Sequence, residues 1–235
     1  MYMKKFTAIL LCSVFIISLA ACGSREENEE NNKRKDREEA LSDDTLENTE
    51  KERVSSGENI LIAYFSWADN AVLDEDVDAV ASPSVTAPGN VQQLAGWVQE
   101  ETGGTLFLIQ VTEPYPSDWD QCLERANQER GQDARPELAE SVENMEDYDV
   151  VFLGYPNWWY GVPMALLSFL ENHDLAGKQV YLFCSHGTGG LASSVEIITE
   201  ALPDSEISAN IFDCYEEDAP DSQEEIRQWV RELVY

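Results

Sequence analysis

The stretch Asp149-Val150-Val151-Phe152-Leu153-Gly154-Tyr155-Pro156-Asn157-Trp158-Trp159-Tyr160-Gly161 decides the fold. After one acid it opens on an apolar run, the composition of a strand buried on both faces. An apolar, helix-like segment over residues 163–170 follows at once. Strand, loop and helix in that order make a βα unit. The loop falls at the carboxyl end of the strand, where open α/β sheets bind their ligands. Three consecutive aromatics there either stack on a flat ligand or fill a corner of the core.

The same alternation repeats in both directions. Residues 59–65, 105–111, 149–154, 179–184 and 206–212 read as strands, several of them apolar throughout. Residues 91–102, 117–130, 163–172, 191–201 and 222–234 place apolar side chains at helical spacing. Repeated βα units of this length predict a doubly wound three-layer sandwich with right-handed crossovers. Residues 58–235 suffice for one domain with a substantial core.

Two further strand ends carry informative loops. After the first strand, Ser66-Trp67-Ala68-Asp69-Asn70 opens an excursion that lasts to Pro88, and Gly89-Asn90-Val91 leads into the first helix. Amides at a helix start hold phosphate without a basic side chain. That matters because no Lys or Arg occurs between Gly57 and Arg125. After the fourth strand, Ser185-His186-Gly187-Thr188-Gly189-Gly190 is a glycine-rich turn that admits close approach of a planar ligand. In that turn the backbone of His186 is expected to matter more than its ring.

Taken in order with Thr102-Gly103-Gly104 and Leu175-Ala176-Gly177-Lys178, these segments resemble the flavodoxin-like superfamily, in particular its secreted or lipid-anchored branch. The resemblance spans residues 59–234. It implies a five-stranded parallel sheet in the order 2-1-3-4-5, with FMN bound noncovalently at the ends of strands one, three and four. Carried over by position, Ser66, Gly89, Asn90 and the amide of Val91 would cradle the phosphate. Pro156, Asn157, Trp158, Trp159 and Tyr160 would flank the isoalloxazine. Ser185, His186, Gly187 and Gly189 would border its pyrimidine edge. The chain departs from the family in having Pro88 and Val91 where threonines are common, and Thr86 is a candidate replacement.

The chemistry implied is redox, carried by the flavin rather than by a catalytic side chain. Residues 58–235 hold six basic and 34 acidic residues, a formal charge of −28. Like charge around a reduced, anionic flavin should lower its potential, and it argues against nucleic acid as a partner while suiting a basic redox protein. Two other readings stay open. One is an NAD(P)H-dependent reductase of quinones or similar acceptors; the other is a surface module that has lost its flavin.

The start of the chain sets the expected location. Lys4 and Lys5 precede an apolar run, residues 6–19, that is too short for an ordinary membrane span, and Leu19-Ala20-Ala21-Cys22 resembles a lipobox. Residues 1–21 are therefore expected to be a signal peptide and Cys22 the lipidated residue. Residues 22–57 form an acidic tether with too few large apolar residues to fold alone, and the domain stands on the extracytoplasmic face. Cys122, Cys184 and Cys214 lack metal-type spacing, and His173 and His186 are the only histidines, so no metal site is expected.

Overall fold

A computed structural model describes residues 59–73 and 81–235. The expected signal peptide, Cys22 and the tether lie outside these residues. The strands are β1 (Ile60–Tyr64), β2 (Thr105–Leu108), β3 (Val150–Pro156), β4 (Gln179–His186), β5 (Glu206–Ile207) and β6 (Phe212–Tyr215). The helices are α1 (Asn90–Thr102), α2 (Trp119–Gly131), α3 (Met164–Asn172), α4 (Ser194–Ala201) and α5 (Gln223–Glu232). All strand pairs are parallel, in the order β2-β1-β3-β4, with β5 and β6 both paired to β4. The expected order 2-1-3-4-5 is present, with the fifth position split in two.

The split has a local cause. Val180 pairs with Ile207 and Phe183 with Phe212, so four residues on the outer strand oppose two on β4. Within that excess the Ser208 hydroxyl accepts from the Asn210 N–H at 3.1 Å, a side-chain bond that competes with the ladder. Other differences lie at element ends. β3 and β4 run two residues past the expected ends, to Pro156 and His186. α4 begins at Ser194 because Gly190 (φ 59°) and Ala192 (φ 43°) hold the preceding turn in a left-handed conformation.

Period-two alternation sorts the strand residues between the two sheet faces. Ile60, Ile62, Tyr64, Phe152, Tyr181 and Phe183 pack with Val91, Leu94, Ala95 and Val98 of α1 and Ile226, Trp229 and Val230 of α5. Leu61, Ala63, Val151, Leu153, Tyr155 and Leu182 pack with α2, α3 and α4 through Cys122, Ala126, Leu166, Phe169 and Ile198. Every residue of β1 and β3 is buried, as central parallel strands require. Each large apolar side chain so buried contributes about 1.5–3 kcal/mol. The result is a three-layer sandwich whose strand ends converge on one edge.

Burial also accounts for the cysteines. It pushes the Cys122 thiol up to about 12 and the Cys214 thiol up to about 11, and it raises Cys184 well above its ordinary value. Such thiols stay protonated and pack as small apolar groups.

Candidate cofactor site at the strand ends

The loop after β3 leaves the sheet through a tight turn. Trp159 (φ 50°) and Tyr160 (φ 64°) are consecutive left-handed residues, and the Gly161 N–H closes the turn on the Trp158 carbonyl at 2.9 Å. Three outside contacts hold this costly conformation. The Arg130 guanidinium donates to the Trp159 carbonyl at 2.8 Å, the Ser193 N–H to the Tyr160 carbonyl at 3.1 Å, and the Asn157 N–H to the Ser185 carbonyl at 2.9 Å. The aromatics divide their roles. Trp158 is buried, edge-on to Phe65 (5.4 Å between centroids) and Tyr115 (5.1 Å), whereas Tyr160 is 68% exposed. Trp158 thus packs into the core corner behind the loop, while Tyr160 is presented to solvent.

A cavity of about 230 Å³ opens between this loop and the turn after β4. Pro156, Asn157, Trp158, Trp159, Tyr160, Ser185, His186, Gly187, Thr188 and Gly189 all line it. The Tyr160 ring closes over Gly189 so nearly that a Cβ there would sit 3.1 Å from it, which leaves no room for a larger residue without a shift. His186 does more than its backbone: Nε2 lies 2.9 Å from Asp213 Oδ2 and Nδ1 lies 2.8 Å from the Gly187 carbonyl.

Ser66, Gly89, Asn90 and Val91 are not part of that lining. They form a second group beside it, all buried, at the start of α1. A Cβ on Gly89 would come within 2.1 Å of the Ser66 hydroxyl oxygen, and that oxygen is buried with no hydrogen-bond partner. Asn90 joins the two groups: its amide donates to the Ser185 hydroxyl at 3.3 Å and the Glu216 carbonyl at 2.7 Å. A vacant hydroxyl at the start of a thirteen-residue helix fits an anionic group such as a flavin phosphate. Asp69 opposes it. Burial raises that carboxyl above its ordinary value, and the Ser66 hydroxyl, near it but outside hydrogen-bond geometry, favours the charged form more weakly.

The excursion after β1 folds back onto the cavity. Asn70 anchors its start by donating to the Ser66 and Ile109 carbonyls (3.0 Å each) and accepting from the Val111 N–H (2.9 Å). Trp67 is buried and donates to the Pro116 carbonyl at 3.0 Å. Farther on, a short turn, Pro83–Val85, brings Ser82 and Ser84 to the cavity wall, their hydroxyls 2.6 Å apart. Ser82 also donates to Glu216 at 2.5 Å. Thr86, the candidate hydroxyl, is exposed instead. Ser82, Ser84, Glu216 and Trp119 also line the cavity; Glu216 and Trp119 follow the expected fifth and second strands by a few residues, whereas Ser82 and Ser84, deep in the excursion, had no local signal.

Tyr115 belongs to the core rather than to the site. Burial and Glu129 hold its phenol far above the usual value, and the Arg125 guanidinium sits 4.0 Å over its ring. Among the described residues, no cluster of three or more His, Cys, Asp or Glu is placed to hold a metal ion, and no helix is long and apolar enough to cross a membrane.

A sequence model of a family described as Flavodoxin matches residues 78–233. Among solved structures, the chain is similar to a protein from Bacteroides eggerthii described as a flavoprotein: identity is 26%, the TM-score 0.55, with 74% of this chain and 96% of that one covered. It is similar to another so described from Bacteroides uniformis, at 23% identity and a TM-score of 0.58, over 75% and 100% of the two chains. A flavoprotein from Lactobacillus acidophilus, solved in complex with FMN, shares 18% identity at a TM-score of 0.49, over 71% and 99%. No curated protein sequence matches the chain.

Proposed function

The chain belongs to the flavodoxin family, and on that footing we propose that it binds FMN noncovalently and is an electron-transfer protein displayed on the outer side of the cytoplasmic membrane. The observation that carries the FMN reading is Ser66, whose buried hydroxyl has no partner beside Gly89 at the start of α1. An unsatisfied buried hydroxyl costs about 1–3 kcal/mol. A phosphate oxygen would satisfy it, and the α1 amides would share the charge. Trp159 and Tyr160 offer aromatic surface to a planar ring, and the Ser185–Gly189 backbone offers polar groups to its edge. When bound, the flavin supplies the redox chemistry.

The membrane half of the reading rests on Lys4, Lys5, the apolar run and Cys22. The partner half rests on the acidity of the domain, which suits a basic redox protein. To test the cofactor, the purified protein is titrated with FMN beside riboflavin and followed by absorbance and fluorescence. Tight FMN binding with quenched fluorescence and a weaker riboflavin complex is expected; a colourless protein that takes up neither refutes the reading. An FMN-loaded carrier should oxidise NADH and NADPH negligibly without a partner reductase. Radiolabelled fatty acid should enter the wild-type chain in bacteria and not Cys22→Ala.

A further inference from the structure

We propose that Ser84 is a specificity residue of the cavity, a buried hydroxyl held as an acceptor that takes the imide N–H of a bound flavin ring, a role that rests on the FMN reading. A chain of hydrogen bonds sets its polarity. Ser82 donates its one hydroxyl hydrogen to a Glu216 carboxylate oxygen at 2.5 Å and accepts from the Ser84 N–H at 3.3 Å. The Ser82 and Ser84 hydroxyl oxygens lie 2.6 Å apart. With the Ser82 hydrogen already given to Glu216, the hydrogen between the two hydroxyls belongs to Ser84. Ser84 therefore has none left for a ligand and keeps its remaining lone-pair capacity for one.

The fold holds this hydroxyl in place. Ser82 caps the short turn Pro83–Val85, Val85 is packed in the core, and Ser84 is buried at the cavity wall. Glu216 ties the turn to the rest of the site. Its N–H donates to the His186 carbonyl at 2.8 Å, its carbonyl accepts from the Asn90 amide at 2.7 Å, and its Oε1 would lie 3.6 Å from a Cβ on Gly187. The acceptor wall thus adjoins the glycine turn, which borders the polar edge of the ring in the FMN reading. A carboxylate and an acceptor hydroxyl on one wall disfavour a phosphate there and call for a donor. The pyrimidine edge of an oxidised flavin has two carbonyl oxygens, which only accept, and between them one N–H donor, at N3. A wall built to accept that hydrogen rejects a ring that lacks it.

The test pairs a change in the protein with a change in the ligand. Wild type and Ser84→Ala are titrated with FMN and with FMN methylated at N3, followed by flavin fluorescence. Wild type is expected to bind FMN about tenfold more tightly than the methylated form, the value of one lost hydrogen bond. Ser84→Ala is expected to bind the two within about twofold of each other. Equal affinities in the wild type, or an undiminished preference in Ser84→Ala, overturn the role of Ser84 and leave FMN binding standing. A second readout needs no variant. With FMN carrying nitrogen-15 at N3, NMR of the wild-type complex is expected to show the N3 proton protected from exchange with water, and a freely exchanging proton overturns the proposal. Failure of the wild type to take up either flavin overturns the FMN reading together with this proposal.

Discussion

A methyl group on Gly89 would stand 2.1 Å from the hydroxyl oxygen of Ser66, so the two residues pack directly against each other and only glycine fits at 89 without a shift. That hydroxyl is buried and has no partner. Removing it strands nothing, and Ser66→Ala is expected to leave the melting temperature of the apoprotein unchanged or higher. Its FMN affinity should fall about tenfold, the value of one charge-assisted hydrogen bond, while riboflavin affinity holds. Calorimetric titration with the two ligands measures the difference. Equal losses for both would mean that Ser66 does not meet the phosphate.

Tyr160 combines a left-handed backbone (φ 64°) with a side chain that is 68% exposed, so strain is present with little burial to offset it. Left-handed conformation costs a non-glycine residue about 1–2 kcal/mol. Tyr160→Gly is expected to stabilise the protein by up to about 1 kcal/mol in urea unfolding. The same change removes the ring over Gly189 and should weaken flavin binding. A less stable variant would show that the ring's contact with Gly189 outweighs the strain.

Asn70 makes three buried hydrogen bonds that tie the start of the excursion to the end of β2. Asn70→Ala leaves the Ser66 and Ile109 carbonyls and the Val111 N–H without those partners. At about 1–3 kcal/mol for each stranded group, a loss of roughly 3 kcal/mol or more is expected. Urea denaturation monitored by tryptophan fluorescence reads it directly, and a loss below about 1 kcal/mol would mean that the segment repacks or that water replaces the amide.

Asp69 and Glu101 bend the stability profile in opposite directions. Burial raises the Asp69 carboxyl, so the folded state holds its proton more tightly and this residue lowers stability as pH rises above the ordinary carboxyl range. The Arg231 guanidinium lowers Glu101, so its contribution is present above that range and is lost as pH falls through the folded value. Asp69→Asn should therefore stabilise the protein at pH 7 and not in strong acid. Glu101→Gln should destabilise it at pH 7 and flatten the acid limb. Thermal melts from pH 2.5 to 8, an interval of roughly one unit below the carboxyl range to well above it, separate the two, and parallel curves for both variants would contradict this assignment.

Much of the architecture was readable because it is written in short-range patterns. The runs ending at Tyr64, Leu108, Pro156 and His186 are apolar, and the intervening segments carry apolar residues three and four apart. The aromatic loop and the glycine turn follow their strands directly, so their arrival at one cavity follows once the strands are adjacent and parallel. The fifth strand was less legible. Whether residues 208–211 pair or bulge depends on β4, which supplies only two residues opposite them.

The sequence alone thus determined the parallel βα order, the strand ends that border the cavity, and the acidity of the domain. Tertiary structure alone decided which residues of the excursion return to the cavity, that Ser82 meets Glu216 across 134 residues, and that Asp213 faces His186. It also separated Trp158, a core residue, from Tyr160, a surface one, although they are two positions apart. The reason is range. Periodicity reports the environment that a few successive residues share, whereas a side chain's partners depend on where distant segments come to rest, and those contacts form only when the whole core packs.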